Sequence, residues 1–400
     1  MIRTTQEPQA PSLFNTALAF RPFFWLASVF AVISLGIWYA YYSQWVPLNP
    51  KGGMLWWHQH EMIFGFGAAV VVGFLLTAVQ NWTGIPSLTG PRLWGLTLLW
   101  LMARMGLAFS NALPYPLLMA LDLAFLPLVG IAMASYVIRA KRWRNLIFVP
   151  VLLLLTLANL GMHLGNLKGD YQTSINSAYM GVWLIVTLIV VIGGRVIPMF
   201  TANGMRFQVR PMRRWAEHTL IASTLGVCLL FALRALAIPV PGLFVASLLF
   251  LMALLSVFRW LSWHPLKCFK APMIWGLHTS YLFIIVGALM WAIAEIKGTR
   301  FDSALHMITV GGMMAIILTM MSRVSLGHTG RFIRGLAGKN TVMAALFVGA
   351  LLRGIGILVA PATTVVLYKI TMVLVSLAFA WFVAHYTLIL WRPRADNRPG

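Results

Sequence analysis

From Met62 to Pro91 the chain carries no charged residue, and runs of about twenty mostly apolar residues recur along its length. A run of that size crosses the roughly 30 Å hydrocarbon core of a bilayer as a helix, which satisfies its backbone polar groups internally. Twelve spans are predicted, at 22–42, 56–79, 92–110, 114–138, 146–166, 175–198, 216–237, 239–261, 273–295, 303–323, 341–360 and 363–391. Prolines punctuate the connections, among them Pro47, Pro50, Pro86, Pro91, Pro211, Pro239, Pro265 and Pro361. Arg104, Arg353 and Lys369 lie in or near the third, eleventh and twelfth spans. With 60% hydrophobic and 10% charged residues, a soluble domain could not cover so much apolar surface. The predicted fold class is all-α, a polytopic membrane helix bundle of about 12 spans.

The net charge of +22 would suggest nucleic acid in a soluble protein. Here the basic residues fall in short loops, and they alternate by side. One side collects Arg92, Arg139 to Arg144, the 206–214 and 259–270 connections, Arg331 to Lys339, and the tail from Arg392. The other has Lys51, Lys168, Lys297 and Arg300. The positive-inside rule then puts both termini in the cytoplasm, which an even number of spans requires. The expected partner is membrane lipid, and nucleic acid is not expected. A single membrane domain over 1–400 is predicted, with a short cytoplasmic segment (1–20) and a cytoplasmic tail (392–400). Cys228 and Cys268 support neither a disulfide framework nor a zinc site.

An ionisable side chain in a spanning helix is costly and is read as part of a site. The nine histidines fall into two depth layers. On the outer side, His58, His60 and Glu61 open span 2, His163 closes span 5, and His306 lies one turn into span 10. On the inner side are His218, His278, His328 and His385, with Arg195 and Arg323 at the inner ends of spans 6 and 10 and His264 in a loop. His306 and His328 are 22 residues apart, about 33 Å along a helix, so they cannot share a metal. His58, His60, Glu61, His163 and His306 are the candidate metal ligands. Residues two apart on a helix point about 200° from each other. Either His58 precedes the helix and folds back, or His58 and His60 face different cavities. Imidazole with the nearby methionines suits haem iron or copper, and the adjacent carboxylate can fix a tautomer. Arg195 and Arg323 either snorkel at the interface or clamp haem propionates. His218, His264 and His385 are read as interfacial, and Met313, Met314, Met320 and Met321 as packing.

Spans 2, 6 and 10 share a pattern at their inner ends, with Gly84, Gly204 and Gly330 spaced by 120 and 126 residues. Counting 24 back from each lands on His60, Met180 and His306. This suggests three four-helix arcs around a shared interior.

At these residues the chain resembles the NnrS family. The matching segments are 20–30 (FRPFFWLASVF), 57–84 (WHQHEMIFGFGAAVVVGFLLTAVQNWTG), 193–204 (GGRVIPMFTANG), 277–281 (LHTSY) and 304–331 (ALHMITVGGMMAIILTMMSRVSLGHTGR). The resemblance implies a bacterial inner-membrane protein that contains haem b and copper and acts in the response to nitric oxide and nitrosative stress. By similarity His58, His60, Glu61, His278, His306 and His328 match the family's recurrent polar positions, without saying which hold haem and which copper. Nitric oxide is the implied small ligand, and redox chemistry at a cofactor is the implied enzymatic role. Two other readings remain at this point. One is a twelve-span secondary transporter of a metal or haem, for which Asp122 is the single mid-membrane carboxylate. The other is a cytochrome-like electron carrier without copper.

Overall fold

The computed structural model describes residues 18–396 except 46, 110–112, 206–208, 210 and 270. Most of the N-terminal segment and the last four residues lie outside them. The described residues form twelve long helices and no strand. In chain order they are α1 (Phe20–Tyr42), α2 (Gly53–Thr83), α3 (Gly90–Ala108), α4 (Tyr115–Arg139), α5 (Phe148–Lys168) and α6 (Tyr171–Met205). There follow α7 (Arg214–Ala235), α8 (Gly242–Ser262), α9 (Pro272–Lys297), α10 (Asp302–His328), α11 (Lys339–Val359) and α12 (Thr364–Trp391). Eleven are long and apolar enough to cross a membrane. The twelfth, α3, carries Arg104 in its last two turns, and that guanidinium is buried inside the bundle rather than facing lipid. The protein is therefore a multi-pass membrane protein.

Burial separates the helices into two sets. The most apolar windows of α2, α6 and α10 are 78%, 72% and 78% buried, against 33–56% for the other eight membrane-length helices. A helix that is apolar on every side belongs at the centre, where no face meets water or lipid. These three are the ones the glycine pattern relates. Around them the chain runs as three groups of four, α1–α4, α5–α8 and α9–α12, with α4 packed on α5, α8 on α9, and α12 back on α1. Arg21 seals the last junction by donating to the carbonyls of Leu390 (2.7 Å) and Arg392 (2.8 Å) at the end of α12. A cation there complements the carbonyl-rich helix terminus.

Three helices change their winding near the outer half of the bundle. The turns become π-helical over Glu61–Gly67 in α2, Met307–Met314 in α10 and Leu352–Gly356 in α11. In α2 the Ala68 N–H reaches back five residues to the Ile63 carbonyl. Such turns are rare, concentrate at functional sites, and rotate the side chains on one side of them relative to the other. Two begin directly after the matched histidines His60 and His306.

Candidate functional site

His60 is completely buried and has a polar partner on every side. Its Nδ1 lies 3.2 Å from Glu61 Oε1, and its Nε2 lies 3.0 Å from Asp122 Oδ2 and 2.8 Å from Asn159 Oδ1. Arg104 donates to Glu61 Oε2 at 2.8 Å and, through its other terminal nitrogen, to Asp122 Oδ1. Asn159 donates to Asp122 Oδ2 at 2.6 Å, and His163 Nε2 approaches the same oxygen at 3.1 Å. Beyond His163 the chain continues outward, because Asn166 Nδ2 donates to Tyr115 Oη and Tyr115 Oη meets His163 Nδ1, each at 2.8 Å. Four helices meet here: α2, α3, α4 and α5.

One assignment of protons satisfies these contacts. Tyr115, occupied as an acceptor by Asn166, gives its hydrogen to His163 Nδ1, so His163 is neutral with its N–H on Nε2 facing Asp122. Both ring nitrogens of His60 face oxygen acceptors, as an imidazolium requires. The buried charges then balance, with Arg104 and His60 against Glu61 and Asp122. A metal cation would replace the Nε2 protons of both rings, with the remaining proton of His163 then on Nδ1 toward Tyr115 Oη. One ligand atom each from His60, Asp122 and His163 lies within 4.8 Å of the other two. Trp56 stacks on His60 at 4.8 Å and donates to the Met162 carbonyl at 3.1 Å, which holds the ring plane. Gly65, within the π-helical turns, makes room: a Cβ there would lie 2.5 Å from Glu61 Oε2 and 2.7 Å from the Phe30 ring.

His58 faces elsewhere, into a cavity of about 270 Å³ shared with His306. Its lining comes from α1, α2, α6, α10, α11 and α12 and is mainly apolar, with Met62, Met313, Met314 and Met372 among its walls. The His58 ring lies flat on Trp38, with centroids 4.5 Å apart and planes 5° apart, and its buried Nδ1 has no hydrogen-bond partner. His306 Nδ1 bonds the Asp302 carbonyl at 2.8 Å. That bond places the proton on Nδ1 and leaves Nε2 with its lone pair, the arrangement found behind metal-bound histidines. Arg353 enters from α11 with its guanidinium 3.6 Å over the Tyr368 ring, and its buried Nη1 lacks a partner. Arg300 and Asp302, paired at 2.7 Å, stand at the outer mouth.

The outer histidines thus form two groups, His60 with His163 and Glu61, and His58 with His306. Of the two geometries open to His58 and His60, the chain adopts the one in which they face different cavities. His278 Nε2 lies 2.9 Å from Thr201 Oγ1 and its buried Nδ1 has no partner, while His328 packs against the Phe20 ring at 5.7 Å. Arg323 donates to the Met273 carbonyl at 3.1 Å and lies over the Phe200 ring, whereas Arg195 is exposed. His218 and His385 are exposed. Cys268 is buried in an inner loop, which pushes its thiol up to about 11 and away from the metal-binding thiolate.

Sequence reasoning missed the hub. Asp122, Arg104, Asn159 and Tyr115 were not among the predicted ligands, nor was Arg353. A signal was present: Arg104 and Asp122 are opposite charges inside consecutive spans, and intramembrane charges pair with one another. Asn159 and His163 stand at i and i+4, one face of one helix.

Fold and site together define a polytopic helical membrane protein with two buried histidine centres near one end of the bundle. The sequence matches the NnrS protein family over residues 15–394, nearly the whole chain, and the protein belongs to that family. No curated protein matches it.

Proposed function

We propose that this is a haem- and copper-containing protein of the bacterial inner membrane that binds or redox-processes nitric oxide in the nitrosative-stress response. Haem is assigned to the His58–His306 cavity and copper to the His60–Asp122–His163 triad. The observation that carries the reading is the pair of imidazoles in one cavity, His58 with an orphaned buried nitrogen and His306 with its proton fixed on the far side of the ring. A buried polar nitrogen without a partner is costly unless a ligand completes it.

The cavity's other residues fit the same group. Arg353, whose buried Nη1 has no partner, and Arg300, paired with Asp302, would supply cations for carboxylate side groups. Methionine and aliphatic walls exclude water, and Trp38 and the Asp302 carbonyl hold the two rings in orientation. Bound haem would supply an iron position for nitric oxide and one-electron chemistry. At the triad, two imidazoles and a carboxylate suit copper(II). There Glu61 and Arg104 orient the donors and set the charge.

The test is the optical spectrum of the purified protein, oxidised and reduced, with and without nitric oxide, beside copper analysis. The reading expects a Soret band that shifts with nitric oxide, and bound copper. A protein that folds with neither haem nor copper refutes it.

A further inference from the structure

A second cavity lies on the bundle axis, one turn inward from the histidine cavity. Phe66, Val182 and Met313 line the first, and Val70, Ile185 and Ile316 line the second, each a turn farther along α2, α6 and α10. Its volume is about 80 Å³, and all its walls are apolar, from α1 and the three central helices. Its lining residues are buried or, as at Val71, Phe74, Ile189 and Ile192, half-buried. Close packing normally leaves no void larger than a water molecule. Here branched side chains from three helices meet around a gap, with Gly193 contributing no side chain.

We propose that this cavity is a holding site for small uncharged gas molecules beside the histidine centre. Water needs two to four polar partners in a cavity, and this one offers none. Apolar cavities of roughly 150 Å³ stay dry and take xenon or benzene. A space about half as large admits xenon or a diatomic gas and excludes a ring. Nitric oxide and other uncharged diatomics partition into apolar surroundings, so the site raises their concentration at the inner end of the histidine cavity, about 15–18 Å along α10 and α2 from His306 and His58. That service to the histidine cavity rests on the haem reading; the occupancy by gas does not.

The test uses the full-length protein in lipid nanodiscs under xenon pressure, followed by ¹²⁹Xe resonance, with Val71→Phe and Ile189→Phe, which fill the space. The expected result is saturable xenon binding in the parent and its loss in both variants, with thermal midpoints unchanged or raised. Carbon monoxide rebinding after flash photolysis should slow severalfold in the same variants. Absence of a saturable xenon site, or an acyl chain ordered in the space, overturns the proposal. Unchanged rebinding in variants that have lost xenon overturns the supply role. Xenon binding in a protein without a haem spectrum would refute the functional reading and leave this cavity standing.

Discussion

His58 and His60 are two residues apart on one helix, yet their surroundings are opposites. His60 sits in a closed network in which carboxylates, a guanidinium, an amide, a second imidazole and a phenol bond one another, with Arg104 Nε alone of its guanidinium nitrogens unpartnered. His58 sits in a cavity where its own Nδ1 and Arg353 Nη1 go unpaired. The closed network is electrically complete with a proton in place, so it holds four helices together whether or not a metal is bound. In the open cavity these nitrogens stand available to a ligand, as the proposed haem site requires. The π-helical turns after His60 and His306 make this division geometrically available by shifting which face each helix turns to each site.

The largest effect should come from breaking the closed network. Arg104→Gln strands two buried carboxylates, and removing one partner of a buried ion pair costs about 3–5 kcal/mol. We expect a sharply lower unfolding midpoint and yield in detergent, with the molecules that do fold keeping their Soret absorbance. A variant as stable as the parent would show that Arg104 does not neutralise Glu61 and Asp122. Gly65→Ala should act on the same network more mildly, because its Cβ collides with Glu61 and Phe30. Overpacking of this kind costs roughly 1–3 kcal/mol. The matching readout is a lowered midpoint together with weaker copper retention on dialysis, and full retention of both would place the Glu61 carboxylate outside the site.

In the open cavity the expected effects fall on the cofactor rather than on the fold. Arg353→Gln removes a charge-assisted contact worth about 1.5–3 kcal/mol, roughly ten- to a hundredfold in affinity. Haem transfer to an acceptor protein should speed up accordingly at an unchanged thermal midpoint of the apoprotein. An unaltered transfer rate would mean that Arg353 serves Tyr368 alone.

The twelve helices were legible because hydropathy reports directly on what meets lipid, and the pattern of Gly84, Gly204 and Gly330 related the three helices that prove the most buried. The division of the outer histidines was not. Whether His60 and His163 meet depends on helix phase and tilt, and the π-helical turns alter phase without a distinct sequence signature beyond nearby glycines such as Gly65, Gly67, Gly311 and Gly312. Arg104 was visible only as an interruption of an apolar span. Asp122 was visible only as an isolated carboxylate, since pairing between helices is a tertiary fact. Arg353 likewise looked like an edge residue, although its guanidinium turns inward to Tyr368.

The most direct measurement of the central claim is haem content per folded protein in His58→Ala/His306→Ala compared with His60→Asn. The account predicts that the double variant inserts at near-parental stability without a Soret band, whereas His60→Asn is destabilised but keeps its haem. Haem retained by the double variant, or lost by His60→Asn alone, would contradict it.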